Sequence, residues 1–387
     1  MKRELLKSAI LTLTFTAYFI WNIQSENPVT EILIASVYFM LLYFMFFSIG
    51  KKETAKFLNQ YIKSNINRAV IFPTALIILY YTYIFIHGQN PFQGTVFMLP
   101  FLIYFPTLVF VARTEKSEKL NWLDFATFTL FLLPTTLVKF SPETSLPFSG
   151  GGFDSVYRIV IMLAVVYAFV VVRNLNDVGF YPVFKLKYLW TAIWVWLVFY
   201  AFVFMIGYAV DFFKFVGHDT VLLVLLTTIG ASILQVFLHT ALFEELFFRG
   251  LLQNMLAKRI AQTNNWKTFW KWGGAILLLL ALATGYFMKG NLFWFPATTT
   301  IFLFAAAFAI ERLNIAKSGT YTALAITSVI FGLVHFHSGS IIFVGLASIG
   351  GWAYGYTYIK TRNVFYAALV HALVNNSHLI FGIELLK

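Results

Sequence analysis

The chain of 387 residues is 60% hydrophobic and 19% aromatic but only 11% charged, with 45 Phe and no Cys. This is too apolar for a soluble globule and marks an all-α polytopic integral membrane protein, because helices satisfy their own backbone polar groups in lipid. Lack of Cys removes disulfides, thiolate metal sites and Cys nucleophiles together. The net charge of +12 belongs to membrane topology rather than to nucleic acid, because of where the basic residues fall.

Apolar runs able to span a bilayer, allowing for tilt, fall at 8–23, 32–49, 69–86, 96–111, 125–138, 159–172 and 188–210. Six more fall at 220–256, 273–288, 292–310, 321–336, 341–359 and 364–383, which makes a bundle of about thirteen transmembrane helices. Pro134 shortens the run at 125–138. With the N-terminus in the cytoplasm, most of the 28 basic residues fall on inner segments, and only Lys139, Arg158, Lys214, Lys289 and Lys387 fall outside. The expected topology is multi-pass with the N-terminus in and the C-terminus out, in a bacterial cytoplasmic membrane. The opening run is too long for a signal peptide, ends in Trp21 and Asn22, and lacks a small-residue cleavage site. Segment 51–68 mixes Lys with Phe57, Leu58, Tyr61 and Ile62, which fits an amphipathic helix on the inner leaflet and equally a solvated basic loop. Pro142, Pro147 and Gly150 to Gly152 predict an outer loop over 141–154.

Segment 237–250, FLHTALFEELFFRG, places Glu244, Glu245 and Arg249 at the end of a long apolar run. A charge at the bilayer centre costs about 2.5–3.5 kcal/mol on insertion scales, so three together require a reason. On a helix Glu245 and Arg249 face each other, while Glu244 lies about 100° round and stays available for chemistry. The bland alternative is an ion pair that fixes helix packing. Two further pairs lie four residues apart: Phe331 with His335 in FGLVH, and His371 with Asn375 in HALVN. Alone, each is as readily a satisfied polar residue or helix glue.

Together, FEELFFRG, FGLVH and HALVN resemble, in this order, the EExxxR, FxxxH and HxxxN motifs of the CAAX protease and bacteriocin-processing family, which includes the type II CAAX prenyl endopeptidases. The resemblance implies a glutamate-dependent intramembrane endopeptidase that cleaves a peptide or membrane-protein substrate within the lipid bilayer. Glu244 would be the general base, His335 would orient water, and His371 and Asn375 would donate to the oxyanion. Glu245, Arg249 and Phe331 would support them. No cofactor is expected and no nucleic-acid partner; zinc stays open, since two His and a Glu can bind it, although Asn is a poor ligand for it. Residues 186–387 would form the protease core, with an inserted helical hairpin at about 266–315, and 1–185 an accessory region of about six helices. The insertion separates Arg249 from Phe331 by about eighty residues. Two added spans keep the later helices in their orientation, but substrate identity does not carry over. Other intramembrane protease chemistries lack their motifs here: no HExxH, GxGD or GxSxG occurs. The rival readings are a transporter that uses the buried Glu and His as a proton relay, and a non-catalytic scaffold or immunity protein of the same fold.

Overall fold

A computed structural model describes residues 2–23, 28–86, 88, 90, 92, 94–113, 119–136, 156–210, 212–218, 220–289, 292–313 and 318–386. The expected outer loop at 141–154 lies outside these residues, as do Lys139 and Lys387. The protein is all-α and polytopic; among the described residues its strands are one two-stranded ribbon. Among the described residues, seven helices are long and apolar enough to cross a membrane, from Val29–Ser48 to Thr320–Ser338. Shorter apolar helices of 10–17 residues, such as Val96–Ala112 and Val364–Asn375, account for most of the other runs. Contacts divide the chain into two compact units, one of Met1–Glu118, Trp122–Val183 and Leu238–Phe243, the other of Lys119–Asn121, Phe184–Phe237 and Glu244–Lys387.

In the first unit, α1 (Lys2–Ile23) packs against α2 (Val29–Ser48) along an aromatic seam. Ring centres of Phe19 and Phe39 are 4.3 Å apart, and those of Phe15 and Phe47 are 5.2 Å apart. Segment 51–68 does form a helix, α3 (Lys52–Ser64), which buries Ala55, Asn59 and Ile62 and leaves Phe57 and Tyr61 exposed. The unit continues through α4 (Ile71–Ile86), α5 (Leu99–Ala112) and α6 (Trp122–Thr136) to α7 (Val156–Val166), which runs on as a π-helical segment, Tyr167–Val172. A π turn leaves carbonyls without regular i→i+4 partners. Asn59 Nδ2 donates to one of them, Val171 O, at 2.6 Å. Buried Asp124 accepts from Arg173 through Nε and, at 3.2 Å, through Nη2, and from Arg113 Nη1 at 3.2 Å.

In the second unit, α8 (Leu186–Ala209) leads to β1 (Phe213–Phe215) and α9 (Leu222–Val236). The expected single run at 220–256 is continuous from Leu222 to Thr263 but is broken twice by π turns. The first, Phe237–Ala241, precedes α10 (Leu242–Glu245); the second, Leu246–Gln253, precedes α11 (Asn254–Thr263). Periodicity could not reveal these breaks, because a segment apolar on all sides fits any helical period. Residues Leu238–Phe243 group with the first unit, where Arg158 Nη1 donates to the π-turn carbonyl of His239 at 2.6 Å.

A hairpin of α12 (Trp266–Met288) and α13 (Phe295–Leu313) packs on α14 (Thr320–Val334). Glu311, fully buried near the end of α13, accepts from Gly319 N at 3.0 Å, Tyr321 N at 2.7 Å and Thr322 N at 3.3 Å. Its carboxylate thus satisfies otherwise orphaned donors at the start of α14 and sits at the positive end of that helix. After α14 come α15 (Ile341–Thr361), α16 (Val364–Asn375), α17 (Ser377–Phe381) and β2 (Ile383–Leu385), which pairs antiparallel with β1. A Cβ at Gly351 would press on the backbone of Ser328, and one at Gly355 would collide with Leu324 and Gln253. This small-xxx-small spacing lets α15 lie directly on α14.

Candidate active site

The short α10 between two π turns carries Glu244 and Glu245 at its end. Side-chain directions in a widened turn depart from the 100° step, and π turns recur at functional sites for that reason. Glu245 is fully buried and uses both oxygens: Oε2 meets Arg249 Nε at 2.9 Å, and Oε1 meets His371 Nδ1 at 2.9 Å. Arg249 is also fully buried. Its guanidinium carbon lies 4.9 Å from the ring centre of Phe331 and 5.8 Å from those of Phe248 and Tyr354. The buried cation is held by one carboxylate and by aromatic faces, an arrangement worth about 2 kcal/mol or more when desolvated.

Glu244 is arranged differently. Its side chain is 27% exposed, while its Oε2 is buried with no hydrogen-bond partner among the described residues. The closest basic atom is His371 Nε2 at 4.0 Å, too far for a direct hydrogen bond. An ionised Glu245 can only accept, which places the Nδ1 proton on His371 and leaves Nε2 as the atom turned toward Glu244. His371 is therefore oriented by one glutamate and presented to the other.

His335 caps α14 at the start of a 3-10 turn, and its Nδ1 lies 2.7 Å from Phe331 O. That carbonyl can only accept, so Nδ1 donates and Nε2 is left for other partners. The ring is half-buried and within electrostatic reach of Glu244 and His371. Phe331 packs on more than the turn of His335: its ring centre is 4.7 Å from His335, 5.7 Å from His371 and 5.7 Å from Tyr354.

The structure thus brings Glu244, Glu245, Arg249, Phe331, His335 and His371 together. It does not join Asn375 to them: its side chain is exposed, and its carbonyl lies 3.0 Å from His378 Nδ1. The neighbouring Asn376 is the buried amide; it accepts from Ser232 of α9 and donates through Nδ2 to Ala372 O at 2.8 Å. Tyr354 was missed by the sequence reading. Its ring stacks on His371 with centres 4.6 Å apart and an interplanar angle of 6°. Its only sequence signal is a bulky aromatic inside a glycine-rich helix. Among the described residues no three His, Asp or Glu are grouped as metal ligands.

Such a constellation supplies an uncommitted carboxylate, a second carboxylate committed to holding a histidine, and two imidazoles with one nitrogen each left for reacting groups. That is the equipment of general acid–base chemistry.

A family model described as "Type II CAAX prenyl endopeptidase Rce1-like" matches residues 308–377. The matched stretch contains Phe331, His335, His371 and Asn375; the Glu244–Arg249 segment lies before it. No curated protein and no solved structure matches the chain. The resemblance read from the three motifs holds over that stretch, and at the coarse level it supports a CAAX-type peptide hydrolase in the membrane.

Proposed function

We propose that the protein is an intramembrane endopeptidase that hydrolyses a peptide or membrane-protein substrate with water activated by Glu244. The observation that carries this reading is the division of labour between adjacent carboxylates: Glu245 lies 2.9 Å from both Arg249 Nε and His371 Nδ1, whereas the nearest basic atom to Glu244, His371 Nε2, stands 4.0 Å away. In the proposed reaction Glu244 takes a proton from water as the water oxygen attacks the scissile carbonyl carbon. The proton then passes to the leaving amine as the C–N bond breaks. His335, anchored through Nδ1, orients the water, and the imidazolium form of His371, with Nδ1–H on Glu245 and Nε2–H turned to the substrate, receives the oxyanion together with the amide of Asn375. Asn375 holds this role by its place in the HALVN motif, and its exposure suits a group that meets substrate.

The reaction is proposed to need no metal, and cleavage that persists after chelation checks this. The N-terminus is proposed to lie in the cytoplasm and the C-terminus outside; a reporter fused at the C-terminus that is active only in the cytoplasm would reverse this topology. To test the activity itself, membrane proteomes of cells carrying wild type or Glu244→Ala are compared. The reading requires at least one polypeptide whose processing depends on that carboxylate, and identical processing in both removes it.

A further inference from the structure

A hollow of about 680 Å³ opens along α8, α13 and α15, and none of its lining residues belongs to the cluster around Glu244. Its wall is nearly all apolar, built from Trp194 and Phe202 on α8, Phe302 and Ala306 on α13, and Trp352 and Tyr356 on α15. From Trp194 to Ile206 the groove follows α8 for about 18 Å at 1.5 Å per residue, close to the roughly 15 Å depth of one leaflet's hydrocarbon. The wall suits a hydrocarbon chain better than a peptide. A peptide's backbone would find few hydrogen-bond partners there, and the hydroxyl of the lining Thr298 is already given to Trp294 O at 3.1 Å.

One end of the groove is basic. Lys187 precedes Trp194 on α8, Arg312 follows Ile310 on α13, and Lys360 follows Tyr356 on α15; all three are exposed. Contacts among the helices bring these ends to one side of the bundle. Lys185 N donates to Tyr366 Oη at 2.9 Å, just beyond the end of α15. Glu311 binds the first turn of α14, and α14 lies antiparallel on α15 through Ser328 against Gly351 and Leu324 against Gly355. Lys360 Nζ stands 5.2 Å from the ring centre of Tyr356, itself part of the wall. The acidic residue at this end, Glu311, is buried and bonded to backbone N–H groups, so it does not offset the exposed cations.

We propose that this groove is a binding site for an anionic phospholipid, with one acyl chain along Trp194, Phe302 and Trp352 and the headgroup phosphate held among Lys187, Arg312 and Lys360. An apolar trough of leaflet depth selects the chain, and a basic rim selects the headgroup's charge.

The test uses the full-length protein in detergent, incubated with equimolar phosphatidylglycerol and phosphatidylcholine, with bound lipid counted by native mass spectrometry. Wild type should retain phosphatidylglycerol in preference. Arg312→Gln and Lys360→Gln should reduce that preference about fivefold for each charge removed, the equivalent of roughly 1 kcal/mol per basic residue near a lipid surface. Ala306→Trp, which fills the trough, should lower retention of both lipids. Both charge variants sit on exposed positions and remain decisive if the trough variant does not fold. Equal retention of the two lipids by wild type, a preference unchanged in the double charge variant, or a retained molecule that is not a phospholipid would each overturn the proposal. None of these readouts requires peptide cleavage.

Discussion

Each unit buries a charged cluster, and the two are resolved differently. In the first, Asp124 is fully buried and accepts from two arginines, Arg173 in a forked contact and Arg113 beside it. In the second, two adjacent glutamates share one arginine and one histidine, and the sharing is unequal. A single carboxylate matched by two guanidinium groups is a structural tie. A pair in which one member lies 2.9 Å from a guanidinium and from an imidazole, while the other has its nearest basic atom at 4.0 Å, is arranged to do chemistry, because the unmatched group is free to take up a proton.

The largest effect is expected on removing the imidazoles. His335→Ala and His371→Ala should each lower peptide cleavage by about 10²–10⁴-fold, the usual range for a proton-handling or water-orienting group, measured as kcat on a processed substrate. Retained turnover in either variant would leave the cluster as a packing device like that around Asp124.

Stability comes next. Glu245→Gln strands Arg249 in a fully buried site, and Asp124→Asn leaves two arginines facing a neutral amide. Each should cost about 3–5 kcal/mol, the range for breaking a buried pair, seen as a lowered unfolding midpoint in detergent. If only one variant is destabilised, the clusters do not share the structural half of their design. Asn375→Ala should reduce turnover by about 10²–10³-fold, as for loss of one oxyanion donor worth about 2.7–4 kcal/mol, with unfolding unchanged. Unchanged turnover would move that role to another group. The smallest effect is assigned to Tyr354→Leu, which removes the stacked face from His371 and should cost about 0.5–1.5 kcal/mol in stability. A loss of cleavage beyond about tenfold would make Tyr354 a residue that positions His371.

The legible parts of the sequence were those that contrast with their surroundings. Glu244, Glu245 and Arg249 stand out in an apolar run, and the four-residue spacings placed Glu245 against Arg249 and Phe331 under His335, as the structure has them. The link from His371 to Glu245 was not legible, because it joins residues 126 positions apart and depends on how α16 lies against the π turn. Tyr354 was hidden among 20 Tyr and 45 Phe. Glu311, beside the end of an apolar run, carried no signal of its own, and only the fold shows it satisfying the first turn of α14. Its place also makes the α12–α13 hairpin a support for the helix that bears His335, which its absence from the three motifs gave no reason to expect.

Whether adjacent glutamates divide chemistry from structure is decided by comparing Glu244→Gln with Glu245→Gln in purified protein, with turnover and unfolding midpoint recorded together. Glu244→Gln should keep the wild-type midpoint and lose about 10²–10⁴-fold in turnover, while Glu245→Gln should lower the midpoint. Wild-type turnover by a stably folded Glu244→Gln protein would contradict that division.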